Sequence, residues 1–143
     1  MTSATFVVLC LASVLATSLA CTCPHNSVRT DTQIFCDSDF VVQVQVIKEE
    51  HIAGSGFTVY EVEIANWFKP LLAPLGRQLI YTPDETSRCG ITMNVNNVYT
   101  IAGDFKQIGN FFIMFTDSCS IIANPSSFNP SLSVCSRGSG GRY

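Results

Sequence analysis

The cysteines constrain the folding of this 143-residue chain more than any other feature. Of the seven, only Cys10 lies in residues 1–20, a segment without Asp, Glu, Lys or Arg, and an even set of six follows. Six cysteines in a small secreted domain are typical of a disulfide framework, with fifteen pairings that sequence alone does not separate. The rival, a zinc knot, needs close Cys-x-x-Cys pairs. That spacing is absent among Cys21, Cys23, Cys36, Cys89, Cys119 and Cys135.

Residues 1–20 have the character of a secretory signal peptide. Residues 6–12 (FVVLCLA) are apolar, and Ser18 and Ala20 put small residues at the −3 and −1 positions of a cleavage site before Cys21. The apolar run is too short to cross a bilayer core of ~30 Å. A bacterial lipoprotein signal is the alternative, but it usually has Leu where Ser18 stands. We expect cleavage after Ala20 and a secreted, disulfide-bonded product.

Charge and length exclude several protein classes. The 8 Lys and Arg residues and 11 Asp and Glu residues give a net charge of −3, which argues against a nucleic-acid-binding protein and a polybasic membrane module. The length suits one domain, which we place at residues 21–135, and we expect a monomer. Residues 136–143 (SRGSGGRY) are interpreted as a flexible tail.

Alternating apolar and polar residues predict five strands. Val42, Val44 and Val46 share one face of the first, and Tyr60, Val62 and Ile64 share one face of the second. Residues 124–136, rich in Ser, Asn and Pro, allow only short helical turns. The pattern predicts an all-β barrel or sandwich with minor helix. The strand-forming runs are residues 40–47, 57–65, 77–82, 95–102 and 108–116.

The sequence contains no recognisable catalytic motif. His25 and His51 do not form a His-x-x-x-His pair, and there is no Gly-x-Ser-x-Gly elbow or glycine-rich phosphate loop. Paired cysteines leave no thiol nucleophile. Glu61 and Glu63 share a strand face that could perform acid–base chemistry, but a solvated outer face is commoner. We interpret His51 as a solvated turn residue and predict a non-enzyme without a cofactor of its own.

The start of the mature chain, Cys21-Thr22-Cys23, resembles that of the tissue inhibitors of metalloproteinases. The resemblance implies the family's amino-terminal, netrin-like module, a five-stranded OB-fold-like closed barrel, and the disulfides Cys21–Cys89, Cys23–Cys119 and Cys36–Cys135. Because the chain ends eight residues after Cys135, we do not expect the family's carboxy-terminal domain. Further family-like stretches cover the mature chain: residues 35–42 (FCDSDFVV), 81–83 (YTP), 87–90 (SRCG), 101–103 (IAG) and 117–120 (DSCS).

The same resemblance implies a function for the new terminus. The α-amine and carbonyl of Cys21 would chelate the zinc held by a matrix-metalloprotease-like target, and Thr22 would enter the specificity pocket beside that zinc. The chain would thus be an extracellular inhibitor that binds no metal of its own and neither nucleic acid nor membrane. The implied inhibitory ridge consists of Cys21, Thr22, Cys23, Pro24, Glu85, Thr86, Ser87 and Arg88.

Two departures from the family pattern affect this ridge. Pro24-His25 stands where the family usually has a small or apolar residue and then proline, and Arg88 stands where a small apolar residue is typical. They imply altered protease selection or weaker binding. The alternative function is a secreted netrin-like binding module for a host or matrix partner, without protease inhibition. That function would rely on Arg88, residues 48–55, Arg137 and Arg142.

Overall fold

The described residues of the computed structural model form one short helix and a closed five-stranded barrel. They are Cys21, Cys23, residues 29–70, 75–84 and 88–122, and Cys135; the signal and tail predicted above lie outside them. This confirms the all-β prediction and decides for the barrel over the sandwich. The elements are α1 (Asp31–Asp37), β1 (Phe40–Ile52), β2 (Phe57–Lys69), β3 (Gly76–Pro83), β4 (Val98–Ile108) and β5 (Phe111–Phe115).

The barrel has the strand order β1-β2-β3-β5-β4, and β4 pairs back onto β1. Neighbouring strands are antiparallel except β3 and β5, which are parallel. Three register shifts interrupt the pairing of β1 with β2. Such irregularities bend a strand, which allows β1 to pair with β2 and β4 on its two edges while the sheet closes.

The predicted alternation on β1 and β2 is confirmed by burial. Val42, Val44 and Val46 point into the barrel with Tyr60 and the apolar residues that follow it on β2. The hydroxyl of Tyr60 is also satisfied, since it donates to Glu49 Oε1 at 3.0 Å and accepts from the Met93 amide at 3.2 Å. Burial raises the pKa of this phenol. The buried residues of the barrel are thus mainly apolar, and their largest polar group is hydrogen-bonded.

The outer face of β2 carries the two carboxylates noted in the sequence. Arg77 Nη1 lies 2.8 Å from Glu61 Oε1, and Arg77 Nε lies 3.7 Å from Glu63 Oε2. Glu63 is exposed and Glu61 is half-buried. Both are therefore ion-paired to a β3 side chain on the solvent side of the barrel, in agreement with the solvated-face interpretation.

Helix α1 packs against the outer face of the barrel wall, where Val41 of β1 pairs with Ala102 of β4. A capping box begins it: the Gln33 amide donates to Thr30 Oγ1 at 3.2 Å, and the Thr30 amide donates to Gln33 Oε1 at 2.9 Å. At its other end, Lys69 Nζ donates to the carbonyl oxygen of Cys36 at 3.2 Å. Its buried residues, Ile34 and Phe35, pack in a second apolar cluster. No helix in the described ranges is long and apolar enough to cross a membrane.

The strand bounds differ from the sequence prediction at both hairpins. β1 extends to Ile52, past the predicted end at residue 47, so the prediction of a turn at His51 was wrong, whereas β2 begins at Phe57 as predicted. His51 lies in β1, and its Nδ1 is 2.8 Å from Thr58 Oγ1 across the hairpin. Residues 48–52 are exposed on both faces, and a strand exposed on both faces shows no alternation. β4 and β5 likewise meet at a turn of residues 109–110, past the predicted end of β4.

Candidate functional site

Two disulfides attach the Cys21–Cys23 segment to one end of the barrel. Cys21 is bonded to Cys89, which follows β3, and Cys23 is bonded to Cys119, which follows β5. The sulfur atoms of Cys21, Cys23 and Cys119 all lie within 4.8 Å of one another, so the two bridges are neighbours. All three are in disulfides and none is available as a thiolate metal ligand. With Cys36–Cys135, these bridges have the pairing that the family resemblance implies.

The barrel topology explains why the two loops meet. β3 and β5 are parallel neighbours, with Ile80 opposite Met114 and Tyr81 opposite Phe115, so their carboxyl ends lie at the same edge. The pairing continues past β5, because the Thr116 amide donates to the Tyr81 carbonyl at 2.9 Å. Asp84, Arg88 and Cys89 on one side and residues 117–119 on the other therefore lie beyond the same edge of the barrel. We call Cys21, Cys23, Arg88, Cys89 and residues 117–119 the clamped edge.

Hydrogen bonds brace the clamped edge internally. The Ser118 amide donates to the Cys89 carbonyl at 2.8 Å, and Ser118 Oγ lies 3.3 Å from Cys21 Sγ. Asp117 Oδ1 accepts from the Cys119 amide at 3.0 Å and from Ser120 Oγ at 3.1 Å. Each loop is thus held both by a disulfide and by polar contacts. A surface held in this way loses little conformational entropy when it binds a partner.

Buried hydroxyls support the base of this edge. Thr82 is fully buried, and its Oγ1 accepts from the Ile91 amide at 3.1 Å, beyond the loop that carries Cys89. Thr116, also buried, donates to the Ala102 carbonyl at 2.7 Å. Buried hydroxyl groups with satisfied hydrogen bonds restrict a loop because breaking them exposes an unpaired polar group. The bases of the two loops are therefore fixed to the barrel wall.

Arg88 connects the clamped edge to the β1–β2 turn. A Cβ placed on Gly56 would lie 2.7 Å from Arg88 Nη1, so the guanidinium rests against the turn backbone. The Asp84 amide also donates to the Gly56 carbonyl at 3.0 Å. The sequence shows glycines in this turn but gives no signal of the contact. The turn that the sequence assigned to an alternative binding surface thus borders the ridge.

The described part of the predicted ridge comprises Cys21, Cys23 and Arg88. The structure brings Cys21 and Cys23 together through adjacent bridges and links them to Arg88 through its neighbour Cys89. The sequence analysis did not assign a site role to Asp117 or Ser118, although residues 117–120 contributed to the family resemblance. The remaining ridge residues lie outside the described part: Thr22, Pro24, Glu85, Thr86 and Ser87.

The carboxyl group of Asp104, on β4, lies near the clamped edge in surroundings that disfavour its charged form. Shielding from solvent raises the pKa of its carboxyl, and the nearby carboxylates of Asp39 and Asp117 raise it further. Asp39 itself accepts a hydrogen bond from the Phe105 amide at 3.1 Å. The negative charge of Asp104 is therefore less favourable in the folded chain than in the unfolded one.

Replacing this carboxyl should change how stability depends on pH. Because the folded pKa is raised, the free energy of unfolding falls as the pH rises from the unfolded value, 3.8, through the folded value. Asp104→Asn is expected to raise the free energy of unfolding at pH 7 by a few tenths of a kcal/mol, since solvent screens the site. Urea unfolding at neutral and strongly acidic pH measures this, with Asp84→Asn as an exposed control. A gain that persists unchanged below the unfolded pKa would contradict the charge explanation.

Comparison with known proteins gives the same family as the sequence resemblance. Residues 19–131 match the family model described as tissue inhibitor of metalloproteinase. A Drosophila melanogaster protein named "Tissue inhibitor of metalloproteinase" is similar, with 31% identity over 88 residues. That alignment covers 59% of this chain and 40% of the relative, so it spans less than half of the relative's length.

Proposed function

The chain belongs to the tissue inhibitor of metalloproteinase family, and we propose that it is a secreted, non-enzymatic inhibitor of zinc metalloproteases of the matrix metalloprotease type. The clamped edge is the observation that carries this proposal. Two neighbouring disulfides hold the Cys21–Cys23 segment on a braced surface at one end of the barrel. Cleavage after Ala20 would make Cys21 the first residue of that segment.

The chemistry follows from the groups that cleavage exposes. A catalytic protease zinc has three protein ligands and one open position, which water occupies. The α-amine nitrogen and the carbonyl oxygen of Cys21 can close a five-membered ring with such a metal and displace the water. The Cys21–Cys89 bridge restrains the residue that supplies both atoms, which lowers the entropy lost on binding. The zinc belongs to the target protease, and the inhibitor needs no metal of its own.

Zinc binding requires the neutral form of the α-amine. With a reference pKa of about 7.7–8.0, this amine is mostly protonated at neutral pH, so binding releases a proton. Affinity for the protease should therefore weaken as the pH falls below the amine pKa. A purely steric inhibitor with no zinc-bound amine would lack this linkage.

The rest of the ridge would contact the protease on either side of the zinc. Thr22 would enter the specificity pocket, and Pro24, Glu85, Thr86, Ser87 and Arg88 would extend the contact along the cleft. Arg88 brings a guanidinium held against the β1–β2 turn, so the second contact loop carries one positive charge beside the carboxylate of Glu85. The Arg88 guanidinium is expected to favour proteases with an acidic group opposite this position.

The side chain of Thr22 offers a direct test of this arrangement. Thr22→Gly is expected to raise the inhibition constant at least ten-fold against matrix metalloproteases, because it removes the group that fills the pocket. Its disulfide content and melting temperature should stay close to those of the unaltered protein. Thr32→Gly, at an exposed position of α1, is the matched control and should leave inhibition unchanged.

These inhibition constants must be measured with protein whose Cys21 amine is shown by mass spectrometry to be free. Inhibition that is equally strong with Thr22→Gly would contradict the role of the pocket. No inhibition of any zinc metalloprotease by correctly processed protein would contradict the proposed function itself. That second result would favour the alternative of a netrin-like module that binds a non-protease partner.

A further inference from the structure

The barrel wall has a gap between β3 and β5. These strands pair at only two positions, Ile80 with Met114 and Tyr81 with Phe115. Each is fully paired on its other edge, β3 with β2 and β5 with β4. Within the described part of the chain, residues 76–79 and 111–113 have no strand partner on the edges that face the gap. The gap therefore opens away from the clamped edge, toward the amino-terminal ends of both strands.

A cavity of about 350 Å³ occupies this gap. Leu79 and Ile113 project from the outer faces of their strands, whereas Phe112 and Met114 have the opposite parity on β5. All four line the cavity, so it passes between the strands rather than lying on one face of the sheet. Glu61, Arg77, Gln78 and Tyr81 complete the lining, so the slit is apolar on its β5 side, mixed on its β3 side, and flanked by two unpaired strand edges.

Large apolar side chains stay exposed around this end of the slit. Together they present on the order of 600 Å² of apolar surface, at the upper limit of what a monomer exposes in one patch. Unpaired strand edges beside such a surface are templates for pairing with another chain. We call this set the apolar rim: Leu75 (68% exposed), Leu79 (49%), Ile108 (56%), Phe111 (77%) and Phe112 (70%).

We propose that a second copy of this chain covers the apolar rim, so that the protein forms a symmetric dimer through the β3–β5 slit instead of the monomer expected from the sequence. The rim supplies most of the roughly 800 Å² that each partner buries in a standard interface. A two-fold axis is the usual symmetry for such an association, because it lets one patch serve both partners.

Charges beside the slit set the direction of that axis. Glu61 and Glu63 lie on the β2 side and share one ion-pair partner, Arg77 of β3, so an excess of negative charge remains there. Lys106 lies on the β4 side, with its Nζ 3.2 Å from the centre of the Phe115 ring, and Asp104 lies further from the rim on the same strand face. A two-fold axis parallel to the strands brings the β2 side of each copy against the β4 side of the other. The excess negative charge of the β2 side of one copy then faces the Lys106 ammonium group of the other. An axis perpendicular to the strands would instead place like charges together, which is unfavourable.

The proposed dimer is independent of the inhibitory function. The apolar rim surrounds the amino-terminal ends of β3 and β5, and the clamped edge follows their carboxyl ends. The dimer would therefore leave both inhibitory ridges accessible. Failure of the dimer would not contradict inhibition, and failure of inhibition would not contradict the dimer.

Sedimentation equilibrium of the mature chain, from low micromolar to submillimolar concentration, tests the association. The mean mass is expected to rise from that of one chain toward that of two. Phe112→Lys should raise the dissociation constant at least ten-fold, because it puts a charge into the centre of the contact. Val98→Lys, an exposed apolar position on β4 outside the rim (59% exposed), should leave it unchanged. A single-chain mass at every concentration, or unaltered association of Phe112→Lys, overturns the proposal.

A charge exchange tests the orientation. Glu63→Lys and Lys106→Glu should each weaken association several-fold, and the double variant should recover most of that loss. Both side chains are exposed, so far-ultraviolet circular dichroism should remain unchanged. Loss in each single variant without recovery in the double variant overturns the parallel two-fold axis.

Discussion

An additional alanine before Cys21 is expected to weaken inhibition of matrix metalloproteases at least a hundred-fold without altering the fold. The extension turns the α-amine into an amide, whose nitrogen has no available lone pair for zinc. It also places an extra residue where the metal would lie. A hundred-fold loss corresponds to about 2.7 kcal/mol. That is a reasonable free-energy cost for losing one of the two zinc-binding atoms and for displacing the contacts around it.

The comparison needs a control with the same composition. An alanine added after Tyr143 changes the mass identically but leaves the Cys21 amine free, so it should inhibit like the unextended protein. Inhibition constants would be measured on samples with verified termini and mapped disulfides. Equal inhibition by the amino-terminally extended protein and this control would show that Cys21 does not chelate the zinc through its amine.

Replacing Gly103 by alanine is expected to destabilise the barrel by about 3 kcal/mol or more. A Cβ at this position would lie 2.1 Å from the Phe115 carbonyl oxygen and 2.6 Å from Phe40 Cζ. Phe40 is fully buried, and the Phe115 backbone pairs with β4 beside Gly103. Relief of the clash requires movement of a core ring and of the strand that leads to Cys119. Glycine is required here because the Phe115 carbonyl oxygen and the Phe40 ring leave no room for a Cβ.

Denaturant unfolding of Gly103→Ala measures this effect. Gly109→Ala is the informative control, because a Cβ there meets nothing within 4 Å but the backbone has a φ of +60°. It should cost only about 1 kcal/mol, from backbone conformation. Stability of Gly103→Ala within about 1 kcal/mol of the unaltered protein would show that the barrel can absorb the added methyl group.

The sequence predicted the barrel wall where burial is one-sided. Val42, Val44 and Val46 alternate with polar residues because only one face of β1 meets the core. Alternation gave no signal at the tip of that hairpin, where both faces of the strand are exposed to solvent, and His51 was therefore predicted to lie in a turn. Helix α1 has a different kind of sequence signal. Thr30 and Gln33 have the spacing of a capping box, which marks the start of this short helix.

The candidate site divides in a similar way. The small residues before Cys21 and the Cys-Thr-Cys segment are local features, so the sequence alone could predict a mature terminus at Cys21. The bracing of that terminus is not local. The contact of Ser118 with Cys21 joins residues 97 positions apart, and the contact of Arg88 with the Gly56 backbone depends on where β3 ends relative to the β1–β2 turn.

By itself, the sequence determined the all-β class of this protein and its family resemblance, because strand periodicity and the Cys-Thr-Cys motif are features of neighbouring residues. Only the tertiary structure decided that two bridges lie side by side and that β3 and β5 run parallel with a slit between them. The bridges to Cys89 and Cys119 close loops of 68 and 96 residues, and their proximity depends on the strand order of the closed barrel. That order results from burying all five strands around one core, which no short stretch of sequence specifies.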